Sequence, residues 1–217
     1  MTRTHHATLS FAVLLVGLCV GSSETQARGK KPARLRALTF NIRFDFPNDG
    51  KNRWEHRADL VAKTILDSQA HLVCLQEDKA HQVDDLKKRL PEFEFIGKGR
   101  NATGSGERCS IAFNRKHFKA KDKGDFWLSD TPDKVGSNTW GDKYPRKVTW
   151  AILEARKSKK ILLVLNTHFP EGKRDTLREK GADVMVRWLT ERTGASKKKK
   201  RRKPVAILVC GDFNSDA

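Results

Sequence analysis

Apolar residues along the chain change their spacing in a way that separates helices from strands. Leu35–Ile42 is apolar enough for a buried strand, and between Glu55 and Gln69 the residues Leu60, Val61, Ile65 and Leu66 recur at helical spacing. Leu72–Gln76 is a second short apolar run, so the opening order is strand, helix, strand. Val83–Leu90 predicts another helix, which Pro91 closes because its ring and missing N–H cannot continue the hydrogen-bond ladder. From Phe93 onward the runs are shorter and broken by glycine. Phe93–Gly97, Cys109–Phe113, Phe118–Ser129, Lys147–Glu154 and Ile161–Phe169 are successive strand candidates, which predicts antiparallel sheet. Arg174–Glu191 carries Leu177, Val184, Met185 and Trp188 on one helical stripe, and Val205–Cys210 reads as a final buried strand. Strand-helix units flanking a run of strands predict an α/β fold of two packed sheets with helices outside.

Composition fits one domain of ordinary size. The chain has 217 residues, 37% of them hydrophobic, which is enough apolar side chain for a core and argues against global disorder. Lys and Arg total 44 against 26 Asp and Glu, a formal charge of +18, so an anionic partner is favoured: nucleic acid, a phospholipid headgroup or a sugar phosphate. Part of that charge is a run of seven cations at Lys197–Lys203, read as a solvated loop, with polyanion binding as the competing reading.

The start of the chain has a different texture. Arg3 precedes an apolar run of 14 residues from Ala7 to Val20, and small residues follow up to Ala27. That run is shorter than the roughly 20 residues a membrane-spanning helix needs, so residues 1–27 are expected to be a secretory signal peptide and the protein to be exported, periplasmic or extracellular. Residues 28–34 then read as a linker and 35–217 as the domain, with no stable membrane span once the signal is removed. Removing the signal leaves Cys74, Cys109 and Cys210, whose wide spacing shows neither a zinc pattern nor a disulfide framework. They are expected to be small buried hydrophobes.

Candidate chemistry lies where the apolar runs stop. Asn41 ends the first, Glu77 follows the second, His168 ends a later one, and Asp212 with Asn214 follows the last. Any one of these could be a turn or cap residue. Together they supply oxygen ligands, an imidazole and a water-activating carboxylate, the set that hydrolysis of a phosphate ester requires near neutral pH.

The segments Thr39-Phe40-Asn41-Ile42-Arg43, Leu75-Gln76-Glu77, Asn166-Thr167-His168-Phe169 and Gly211-Asp212-Phe213-Asn214 resemble, in order, the motifs of the endonuclease/exonuclease/phosphatase superfamily. Phe126-Trp127-Leu128-Ser129-Asp130-Thr131-Pro132 and Pro145-Arg146-Lys147-Val148-Thr149-Trp150 are similar to segments of an exported branch. The resemblance implies a four-layer, two-sheet α/β sandwich and a phosphodiesterase, nuclease or phosphatase. It implies that Glu77 binds a divalent cation, Mg2+ or else Mn2+ or Ca2+, while Asn41 and Arg146 hold the phosphate. It further implies that His168 acts at the phosphate as acid or as cation, that Asp212 orients or deprotonates the attacking water, and that Asn214 donates to the developing oxyanion. Two features depart from the pattern. Phe169-Pro170-Glu171 stands where many relatives continue with Asp-His, and the family's further Asp and terminal Asp-His pair are expected beyond the last three residues after Asn214. The fold is therefore expected to be incomplete at its C-terminus, as a fragment of a longer hydrolase or as a non-catalytic polyanion-binding remnant of the same fold. No obligate protein partner is expected.

Overall fold

The computed structural model describes residues 34–193 and 206–215. The expected signal peptide, the linker up to residue 33 and the Lys197–Lys203 run lie outside the described residues. The elements in chain order are β1 (Ala37–Asn41), a 3-10 turn at Gly50–Asn52, α1 (Trp54–Asp67), β2 (Leu72–Gln76), α2 (Ala80–Arg89), β3 (Phe93–Ile96) and β4 (Ile111–Asn114), followed by β5 (Phe118–Trp127), β6 (Lys147–Ala155), β7 (Ile161–His168), α3 (Asp175–Thr193) and β8 (Ala206–Asp212).

The strands form two four-stranded sheets, ordered β1-β2-β4-β3 and β5-β6-β7-β8. Alternation along each strand explains the layering. Leu38, Phe40, Val73 and Leu75 face outward and pack with Ala58, Val61, Ala62 and Ile65 of α1 and Leu86 of α2. Ala37, Leu72, Cys74, Ile111 and Phe113 face inward and meet Ala151, Leu153, Leu162, Val164 and Cys210 of the second sheet. Leu163, Leu165, Val148 and Trp150 leave that sheet on its far side and are covered by Val184, Met185, Trp188 and Leu189 of α3. The result is the expected four-layer α/β sandwich. Each fully buried Leu, Ile or Phe in these layers contributes roughly 1.5–3 kcal/mol relative to an exposed one.

Three expectations change. The five successive strands do not make one antiparallel sheet: β3 and β4 join the first sheet while β5, β6 and β7 open the second. Both sheets are mixed, because β1 pairs parallel with β2 and β7 parallel with β8, each across a helical crossover or a long connection. The run Val205–Cys210 is not a buried strand either. β8 lies at a sheet edge, with Ile207 47% and Val209 39% exposed and only Cys210 buried. β1, likewise at an edge, is half-buried throughout instead of buried. Cys74, Cys109 and Cys210 are all free thiols and buried, as small hydrophobes would be.

A polar clasp crosses the apolar interface between the sheets. The Asn166 amide donates to the Leu75 carbonyl at 2.7 Å and the Ser110 carbonyl at 2.9 Å, while its oxygen accepts from Gln76 Nε2 at 2.7 Å. Asn166 is fully buried, so every one of these groups lacks water as an alternative partner. Asn166→Ala is expected to cost about 1–3 kcal/mol, because the buried Leu75 carbonyl loses its Asn166 partner, the Ser110 carbonyl keeps only the Leu75 N–H at 2.8 Å, and Gln76 loses an acceptor. Thermal melting reads this as a drop of roughly 2–4 °C per kcal/mol, and an unchanged midpoint would contradict the clasp.

Candidate active site

The two parallel strand pairs run in the same sense to one rim of the sandwich, and the chemistry-bearing residues stand at their C-terminal ends. Asn41 is the last residue of β1, His168 of β7 and Asp212 of β8, while Glu77 follows β2. Strands β1 and β8 face one another from different sheets, so residues 171 positions apart meet: Asn41 Nδ2 donates to Glu77 Oε1 at 2.8 Å and to Asp212 Oδ2 at 2.9 Å. One amide thereby bridges two carboxylates that would otherwise repel.

Backbone conformation aims these groups. Glu77, Arg43 and Asn214 adopt positive φ of 63°, 55° and 48°, in the left-handed region that non-glycine residues seldom occupy. At Glu77 this turn ends the β2 ladder and swings the carboxylate back over the rim, where its second oxygen accepts the Phe44 N–H at 3.1 Å. Arg43 is held by Gln82, a fully buried α2 residue whose amide donates to the Arg43 carbonyl at 3.0 Å. Among the described residues, three of the five non-glycine residues with positive φ lie at this rim, a concentration of strain that structural turns alone do not require.

His168 shares a strand face with Asn166, two residues before it, so the same alternation that buries the clasp points the imidazole into the rim. Its Nε2 stands 3.8 Å from Asp212 Oδ2, and its Nδ1 is buried with no hydrogen-bond partner among the described residues. Burial lowers the His168 pKa below the ordinary histidine value, Arg146 lowers it further, and Asp212 and Glu77 oppose that shift. The free protein therefore holds a neutral imidazole at neutral pH, and a bound phosphate, by adding negative charge, raises its proton affinity. Arg146→Gln removes a neighbouring cation, so the His168 pKa followed by NMR is expected to move upward. A fall would contradict the assignment of Arg146 as its electrostatic neighbour.

Beside His168 opens a narrow cleft whose walls include Arg146, Lys147, Arg100, Glu107 and Arg108. Arg146 is 7% exposed, and its Nε donates to Asp142 Oδ2 at 3.1 Å. Asn214 is fixed by its backbone N–H on Asp212 Oδ1 at 3.1 Å, and its side-chain amide donates to the Phe169 carbonyl at 2.9 Å. One amide hydrogen is thus committed to the loop, and the second is the one an oxyanion could use. All six residues named from the sequence come to this rim and its cleft.

The sequence matches the Endonuclease/Exonuclease/phosphatase family over residues 38–217. The chain belongs to that family. Among solved structures, this family member is similar to an endonuclease/exonuclease/phosphatase from Bacteroides vulgatus, with 34% identity and a TM-score of 0.74, covering 83% of this chain and 66% of that one. It is also similar to a mannosyl-6-phosphatase from Bacteroides thetaiotaomicron, with 29% identity and a TM-score of 0.76, covering 85% and 67%. The human Nocturnin catalytic domain with a bound sulfate anion, at 20% identity and a TM-score of 0.63, covers 84% of this chain and 65% of that one and shares the fold. The chain spans about two thirds of the length of these relatives. No curated protein matches it.

Sequence reading missed the support of the family's rim. Asp78, directly after Glu77, is fully buried; burial pushes its carboxyl up to about 6, although the Ser110 N–H donates to it at 3.1 Å and the Ser110 hydroxyl also bonds it. Lys147 is buried with Nζ donating to the Lys98 carbonyl at 2.7 Å and paired with Asp125, and Arg100 forks onto Glu107 at 2.9 and 3.0 Å. The one available signal was cations adjoining apolar strand positions, in Glu107-Arg108-Cys109 and Arg146-Lys147-Val148.

Proposed function

We propose that this chain carries the phosphate-binding and water-activating centre of a metal-dependent hydrolase of phosphate esters, acting on phosphodiesters or phosphomonoesters. The observation that carries the reading is the meeting of Asn41, Glu77, His168 and Asp212, drawn from both sheets, beside a cleft walled by cations.

The donor chemistry fits a hard divalent cation such as magnesium. Glu77 and Asp212 offer carboxylate oxygens at one point, bridged by the Asn41 amide nitrogen, while the Asn41 oxygen accepts the Arg43 N–H at 2.9 Å. Magnesium is commonly held by one or two carboxylates with water and substrate phosphate completing its shell. Held by Glu77, the cation would supply positive charge against the phosphoryl oxygens, with Asn41 beside it to hold the phosphate.

The chain's own groups divide the remaining work. Asp212 accepts a proton from water, whose oxygen bonds to phosphorus as the bond to the departing alcohol oxygen breaks. Arg146 contacts a phosphoryl oxygen with a permanent charge, and His168 places an imidazole at the same group. The readout is release of alcohol from a generic phosphate ester by the full-length protein, abolished by chelation and restored by magnesium. Binding of polyanions without any turnover would favour the alternative, a non-catalytic polyanion-binding relative, for which the +18 charge is the motive. The proposal places the protein outside the cytoplasm, on the strength of the signal-like first 27 residues. Among the described residues no helix is long and apolar enough to cross a membrane.

A further inference from the structure

The cations that wall the cleft beside His168 are not equivalent. Arg100 is bound by both its terminal nitrogens to Glu107, at 2.9 and 3.0 Å. Arg146 is paired with Asp142 at 3.1 Å, and Lys147 with Asp125. Each of these charges is compensated inside the fold. Arg108 differs: its Nε is buried without a hydrogen-bond partner among the described residues, and although Asp78 and Asp84 feel its charge, no carboxylate forms a close ion pair with it there. Its backbone is fixed all the same. Arg108 bridges to Asp78 in antiparallel fashion and its N–H donates to the Asp78 carbonyl at 2.7 Å, which sets it one residue from Glu77 across the strand end.

A second atom in the same cleft is also without a partner, His168 Nδ1. Two buried polar atoms left unpaired on the wall of one cavity cost stability, roughly 1–3 kcal/mol each, and such groups are retained where a ligand completes them. Arg108 Nε can only donate, and His168 Nδ1 donates once the imidazole is protonated, which a bound anion favours, so the ligand that completes both is an anionic acceptor.

We infer that Arg108 is a phosphate-binding residue, and that it fits the site to the dianionic terminal phosphate of a phosphomonoester in preference to an internal phosphodiester. The inference rests on the phosphate-ester reading of the site. A phosphomonoester carries a charge of about −1.5 to −2 at pH 7, a diester a single charge, so one additional cation not held in a close ion pair favours the monoester. A monoester presents three terminal oxygens, enough for the Arg108 guanidinium and for Arg146 and His168 on the same cleft wall, whereas a diester presents two and carries a second substituent that the cleft must also admit.

The test uses the full-length protein with Arg108→Gln and Arg108→Lys, inorganic phosphate as the calorimetric probe, and two esters of one phenol: the monoester and its methyl diester. Arg108→Gln is expected to weaken phosphate binding at least about tenfold and to lower the monoester-to-diester ratio of kcat/KM by a similar factor, with Arg108→Lys falling between. Melting midpoints should not fall by more than a few degrees, since the Nε has no hydrogen-bond partner among the described residues to lose. Unaltered phosphate affinity and an unaltered ratio in an active enzyme would overturn the role of Arg108 and leave the hydrolase reading intact. Phosphate binding that depends on Arg108 in a protein hydrolysing neither ester would keep the anion site and overturn the hydrolase reading.

Discussion

Replacing His168 with Ala, or Asp212 with Asn, is expected to lower turnover of a phosphate ester by the full-length protein at least roughly 100-fold, with KM changed far less. Asp212→Asn is nearly isosteric. The Asn214 N–H at 3.1 Å and the Asn41 amide at 2.9 Å meet different Asp212 oxygens, so the variant keeps one of these two bonds with its single amide oxygen and loses the other. What it removes is the capacity to take a proton from water. His168→Ala removes an imidazole that stands 3.8 Å from Asp212 and whose Nδ1 has no internal partner, so the loss falls mainly on the reacting phosphate and not on the fold. Steady-state kinetics beside thermal melts separates the two effects. Full activity of either variant would remove that residue from the chemistry.

Magnesium affinity is expected to collapse in Glu77→Ala, by at least about 100-fold in a calorimetric titration, since loss of even an outer-shell partner costs metal sites about 10–100-fold. Glu77 is fixed on both oxygens, by the Asn41 amide on one and the Phe44 N–H on the other. Its left-handed backbone, at φ 63°, is retained only because the surrounding rim over-determines it. Glu77→Gln keeps an acceptor oxygen while removing the charge, and should lose most of the affinity too. Unchanged binding in both variants would move the cation elsewhere.

Local signals carried most of the element order. β2 coincides with the apolar run Leu72–Gln76, and α2 stops before Pro91, because burial and proline geometry act within a few residues. The family motifs carried the site residues for a related reason: each ends a strand, where apolar alternation gives way to polar groups. Partner choice between strands was not legible. Phe113 in β4 and Phe118 in β5 lie five positions apart in one core, yet their strands belong to different sheets. Nor could spacing separate the buried clasp residue Asn166 from His168 in the same motif, since both occupy one face of β7. Arg108 looked like any other cation in a basic chain. Its meaning comes from the bridge to Asp78 and from the partners that Arg100, Arg146 and Lys147 have and it lacks.

The central claim is that water attacks phosphorus at this rim with a divalent cation present. Hydrolysis of a phosphate ester in oxygen-18 water, with the full-length protein and magnesium, tests it directly by mass spectrometry of both products. The label is expected in the released phosphate and absent from the alcohol, with incorporation abolished by chelation and by Asp212→Asn. Label in the alcohol, or incorporation into phosphate that survives both treatments, would contradict it.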